Sequence, residues 1–267
     1  MSNTKKNPIS SGGSKKAWVI GSVIAAVVVA AIVAIVFLRP SSSERLAQEA
    51  DFSHFEGIEV AFADQDFAGE TPGTITFQRE GGAEEGAGVA NLAEDPYCSY
   101  CADLNKASAE SALAKMKDGK LVMKIHLASV MDDNSKDNGP SRTAIAAIVS
   151  AARAGDAPTA WGILETNYRD ADKTYTMSLS DYRDFASSVT DNAETLSLME
   201  DEQARYDDAK FVWESTHKYL KDNAGEVSTP ILFDGDDNKI ETLDTNSDSW
   251  VYAVSVSYTH LTLPTSD

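Results

Sequence analysis

Cysteine is nearly missing from this chain: its 267 residues include two, Cys98 and Cys101. Zinc takes four ligands, and with no second cysteine pair a zinc centre is excluded. Basic residues are also short, 23 Lys and Arg against 42 Asp and Glu, a net charge of −19. Nucleic-acid phosphates demand Lys and Arg, so nucleic acid is excluded as a partner. The acid excess names no other partner and suits the solvated surface of an envelope protein. Charge is absent altogether from Ala17 to Leu38, 22 residues rich in Val, Ile and Ala. That is enough helix to cross a bilayer. No small-x-small exit follows at Val36-Phe37-Leu38-Arg39-Pro40, so the stretch is not a cleaved signal. Nor does it hold a cysteine for lipid anchoring. It reads as a single uncleaved anchor. Lys5, Lys6, Lys15 and Lys16 precede it with no acid, whereas beyond it the other 19 basic residues face all 42 acids, a net −23. The positive-inside rule then keeps residues 1–16 in the cytoplasm and puts residues 39–267 outside the cell membrane.

What the chain does have is Glu94-Asp95-Pro96-Tyr97-Cys98-Ser99-Tyr100-Cys101. An apolar strand pattern, Gly88 to Ala93, runs into it, and a helical pattern (Leu104, Ala107, Ala112, Leu113, Met116) runs out. Cys98 therefore falls at the first turn of a helix, where unpaired N–H groups and the positive dipole end favour a thiolate. It is expected to be the exposed, attacking sulfur. Cys101 lies one turn on, on the same face and against the sheet, as the buried resolving sulfur. A structural disulfide remains the alternative, although a bridge across so short a loop removes little chain entropy. Outside the membrane disulfides persist, so such a pair can cycle.

The rest of the chain supplies a frame for this stretch. Residues 39–56 read as a spacer. Ile58, Val60 and Phe62 suggest an edge strand, and Thr74 to Phe77 a second strand after a Thr71-Pro72-Gly73 turn. Glu80 to Gly86 is a loop. Asp118-Gly119 stops the cysteine-bearing helix, and Leu121, Met123, Ile125 and Leu127 mark a strand that completes a βαβ unit. His126 falls on its polar phase and reads as exposed. Residues 141–223 turn helical: Ile145, Ile148, Val149 and Ala152 form one face, and Trp161, Leu164 and Tyr168 another. Ser178-Leu179-Ser180-Asp181 opens a short helix, and a longer one holds Val212, Trp213, Tyr219 and Leu220 and ends at Gly225. Glu226 to Ile240 reads as a strand, an Asp-Gly turn and a returning strand. Its acids do not make a calcium loop, because the sixth position is Lys239 and the twelfth Thr245.

Taken together, Asp95-Pro96-Tyr97-Cys98-Ser99-Tyr100-Cys101, the helical insertion and Val227-Ser228-Thr229-Pro230-Ile231-Leu232-Phe233 resemble the DsbA-like branch of thioredoxin-fold disulfide oxidoreductases over residues 73–245. The resemblance implies an α/β thioredoxin-like core at 73–256 with a helical domain inserted at about 139–225. Before it come residues 1–16, the span at 17–38, and a spacer with an edge strand at 39–72. It further implies that Cys98 and Cys101 are catalytic and that the Thr229–Pro230 bond is cis, facing them. Ser99, Tyr100, Thr229 and Pro230 would touch substrate. No cofactor is called for. The partners implied are exported proteins carrying thiols or disulfides, and a membrane or small-molecule reoxidant. Between the cysteines, Ser99-Tyr100 replaces the Pro-His of the strong oxidants. The direction therefore stands between disulfide formation and reduction or isomerisation, with a non-enzymatic anchored protein as the remaining reading. Residues 257–267 have no helical period and read as a non-native tail. The helix that closes such folds is then expected to be truncated, leaving part of the sheet exposed.

Overall fold

Gly-Val-Ala-Asn-Leu-Ala-Glu keeps no face for water, and the computed structural model places it inside a sheet. Residues 42–64, 71–132 and 138–255 are described. The expected span at 17–38 and the tail at 257–267 lie outside them. Among the described residues no helix is long and apolar enough to cross a membrane. A first helix, α1 (Ser42–Glu49), precedes strands β1 (Ile58–Phe62), β2 (Ile75–Arg79), β3 (Gly88–Glu94), β4 (Leu121–Leu127) and β5 (Ile231–Phe233). They pair in the order β1-β2-β4-β3-β5. β3 and β4 run parallel with Leu92 opposite Ile125, and the other pairs are antiparallel. β1 is at the edge, as its short alternating pattern suggests.

Helix α2 (Ser99–Lys117) connects β3 to β4, which makes the expected βαβ unit. Its end is closed by Gly119 at φ 73°, where the Gly119 N–H bonds to the Met116 carbonyl at 2.8 Å and the Lys120 N–H to Lys115 at 2.9 Å. This pair of bonds satisfies carbonyls that the helix leaves open, and the left-handed position suits glycine.

Between β4 and β5 stand six helices among the described residues: α3 (Pro140–Arg153), α4 (Ala157–Arg169), α5 (Ala171–Thr174), α6 (Leu179–Ser187), α7 (Ala193–Leu198) and α8 (Glu202–Ala224). α3 begins with proline, whose missing N–H costs nothing in a first turn. The Asp132 carboxylate accepts from the Ser141 and Arg142 N–H groups, both at 2.9 Å. Every residue from Ser141 to Ala152 is buried, not one face alone. Ala, Ser and Thr dominate, so α4, α6, α7 and α8 approach on several sides. α6 opens with a capping box between Ser178 and Asp181. One hydrophobic core runs from Ile75, Leu92 and Met123 in the sheet to Ile145, Trp161 and Tyr182 in the helical block.

Two local readings are corrected. His126 is 2 % exposed rather than open. α8 covers that face of β4, with the Tyr219 ring stacked on the imidazole at 4.2 Å. Alternation in a central strand thus does not mark a wet side. The strand after Gly225 starts at Ile231, and its returning partner shrinks to one Phe233–Lys239 bridge. There the Asp234 carboxylate closes the turn itself, accepting from the Asp236 and Asn238 N–H groups at 2.9 Å. Near the end of the described residues a short helix, α9 (Ser249–Ser255), packs on α2 and β3 and buries Trp250 and Val251.

That docking depends on Gly88, because a Cβ there would lie 1.9 Å from the Val254 carbonyl oxygen. Gly88→Ala is expected to lift α9, speed amide exchange at residues 250–254, and lower stability in urea by about 1–3 kcal/mol.

Candidate active site

β3 ends in two acids, the chain turns at Pro96-Tyr97, and α2 starts. Cys98 takes the N-cap position, with extended backbone at φ −77° and ψ 121°. The Cys98 N–H is held by the Asp95 carbonyl at 3.0 Å. Cys101 sits one turn into the helix, fully buried. The two thiols are unbridged. Opposite them the Thr229–Pro230 bond is cis, as the resemblance implied. The Cys98 thiol donates to the Thr229 carbonyl at 3.4 Å. The fold thus brings Cys98, Cys101, Thr229 and Pro230 into one place. Ser99 and Tyr100 face solvent, and Tyr100 is 64 % exposed.

One expectation fails here. Cys98 is 5 % exposed, not open, with the Thr229 segment against its sulfur. Its electrostatics nevertheless fit the attacking role. A hydrogen bond from the Cys101 thiol, aided by the N–H groups of Cys101 and Tyr100, pulls the Cys98 pKa down to about 5 against the opposing effect of burial. Burial, the bond to Cys98 and the charge of Glu94 push Cys101 well above its ordinary value. Two thiols one turn apart are therefore driven in opposite directions.

Two residues to which the sequence reading gave no role of their own complete the site. Glu94 is 3 % exposed, and burial raises its pKa to about 8 against a 3.1 Å hydrogen bond donated by the Tyr168 hydroxyl. It borders a cavity of about 20 Å³ whose lining includes Leu92, Leu104, Trp161 and Trp250. Asp95 is fully buried, and burial raises its pKa to about 6. Its carboxyl accepts from the Tyr97 and Met131 N–H groups at 2.9 Å and from the Ser141 hydroxyl at 2.7 Å. It therefore ties the cysteine turn to the first turn of α3. The available signal was a pair of acids closing a strand with no wet face. Tyr97 adds a second tie, its hydroxyl lying 3.0 Å from that of Tyr182 on α6, which donates to Asn167 on α4 at 2.6 Å. Among the described residues no group of three or more His, Cys, Asp or Glu is placed to hold a metal ion.

Alkylation of the reduced protein by a small reagent is expected to label Cys98 with a pH midpoint near 5 and to leave Cys101 unlabelled through neutral pH. Peptide mapping with pH variation checks both.

No protein-family model and no curated protein matches the chain. Solved structures do. MdbA, a thiol-disulfide oxidoreductase from Corynebacterium diphtheriae, is 24 % identical with a TM-score of 0.61, over 73 % of this chain and 93 % of that one. MdbA from Corynebacterium matruchotii is 19 % identical with a TM-score of 0.66, over 79 % and 98 %. MdbA from Actinomyces oris is 15 % identical with a TM-score of 0.53, over 81 % and 99 %. At these identities the likeness is one of fold, and the chain shares the α/β fold of these three structures.

Proposed function

We propose that this chain is a membrane-anchored, extracytoplasmic thiol–disulfide oxidoreductase that forms disulfides in exported proteins. The observation that carries the reading is the opposed pair: a Cys98 sulfur favoured as thiolate beside a Cys101 sulfur favoured as thiol, under the Thr229 carbonyl. The fold shared with the two Corynebacterium MdbA thiol-disulfide oxidoreductases supports it. The uncharged stretch at 17–38, with lysines before it and acids after it, supports the anchor and its orientation.

In this mechanism a substrate thiolate attacks Cys98 of the Cys98–Cys101 disulfide. The S–S bond breaks, its electron pair goes to Cys101, and Glu94, protonated at neutral pH, supplies the proton. A second substrate thiolate then attacks the substrate sulfur of the mixed disulfide, and Cys98 leaves as a thiolate. The substrate has lost two electrons, and the cysteine pair holds them until a membrane or small-molecule oxidant removes them. A low pKa at Cys98 stabilises the reduced pair, which favours this direction over reductase or isomerase work. Exposed Tyr100, Met131 and Tyr175 lie on segments that touch the cysteine turn. They supply an apolar rim for an unfolded chain.

Cys101→Ala is expected to accumulate covalent adducts with a reduced, unfolded substrate on non-reducing gels, since nothing remains to resolve them. Cys98→Ala is expected to form none and to lose exchange. Adducts equally abundant in both variants, or in neither, would remove the proposed roles.

A further inference from the structure

We propose that Tyr168, contributed by the helical block, is a positioning residue for Glu94, the group that exchanges a proton with Cys101. The inference rests on the thiol-exchange reading above. Glu94 ends β3, and Tyr168 belongs to α4, so the contact joins the sheet to the insertion. The hydroxyl donates to Glu94 Oε2 at 3.1 Å. A carboxyl that is nearly sealed from water and borders an apolar cavity takes its orientation and its charge from such a donor.

The groups that act on one another here are few. Cys98 and Cys101 come from α2, Tyr168 from α4, and Asp95 follows Glu94 in the chain. Burial raises the Glu94 pKa most, the Tyr168 bond pulls it back, and negative charge on Cys98 adds to the rise. Burial and the same acids hold the Tyr168 hydroxyl well above its ordinary value, so it stays protonated and remains a donor. When Cys101 leaves as a thiolate, the carboxylic acid gives its proton to that sulfur and becomes a carboxylate, which the hydroxyl is already placed to stabilise. When Cys101 attacks in the reverse direction, the proton returns to the carboxylate.

The test mixes the reduced full-length protein with excess oxidised glutathione and follows two phases by quenched flow from pH 5 to 10. Attack by Cys98 comes first, and release of glutathione by Cys101 second. The second phase is expected to show a midpoint near 8. In Tyr168→Phe it should move up by about one pH unit, while the first phase is unchanged. A midpoint that stays in place in Tyr168→Phe overturns the proposal. In the unmutated protein labelled with ¹³C-tyrosine, the Tyr168 Cζ shift is expected to step at the same midpoint, and a flat titration also overturns it. If oxidised glutathione gives no adduct on Cys98 at any pH, the exchange reading itself falls. The tyrosine titration still decides whether Tyr168 senses Glu94.

Discussion

The first turn of an α-helix has N–H groups with no partner inside the helix, and here the sulfur of Cys98 sits where a capping oxygen would normally sit. As a thiol it makes no capping bond to that turn. As a thiolate it becomes the acceptor that the Tyr100 and Cys101 N–H groups lack, and both favour the charged form. The Cys101 thiol adds the largest share by donating to the same sulfur. Charge on Cys98 therefore raises the cost of charge on Cys101, and one helix start makes two unlike thiols from two like residues.

Much of the surrounding structure holds that helix start in place. Asp95 is the main fastener, its buried carboxyl shared among Tyr97, Met131 and Ser141. Tyr97 adds contacts to Tyr182 and Asn167, so the turn is gripped by α3, α4 and α6 together. The helical block is thus a support for the cysteine turn as well as a neighbour of it. From the other side, β5 brings Thr229 to the sulfur, and β5 is itself fixed to the middle of the sheet by its pairing with β3.

How far all this could be read from residues alone follows from how local each signal is. The cysteine spacing, the apolar strand before it and the helix after it lie within thirty or so positions, and their order forces a βαβ unit. Thr229–Pro230 was legible through the family likeness, and the helical insertion through the apolar periodicity of residues 141–223. The roles of Glu94, Asp95 and His126 were not legible, because each depends on a helix from far along the chain closing over it: α4 over Glu94, α3 over Asp95, α8 over His126. The burial of Cys98 was missed for the same reason, since its cover comes from Thr229. α9 was missed because Ser-Trp-Val-Tyr-Ala-Val-Ser is two turns long and shows too few periods to count. Its evidence is instead Gly88, which leaves room for the Val254 carbonyl.

The most direct test of a thiolate held by the start of α2 is the reduction potential of the Cys98–Cys101 pair, measured at pH 7 by equilibration with glutathione. Stabilising the reduced form makes the disulfide the stronger oxidant. A potential above about −200 mV is the predicted result. A value near about −270 mV, where thioredoxin lies, would contradict it and place the chain among reductants.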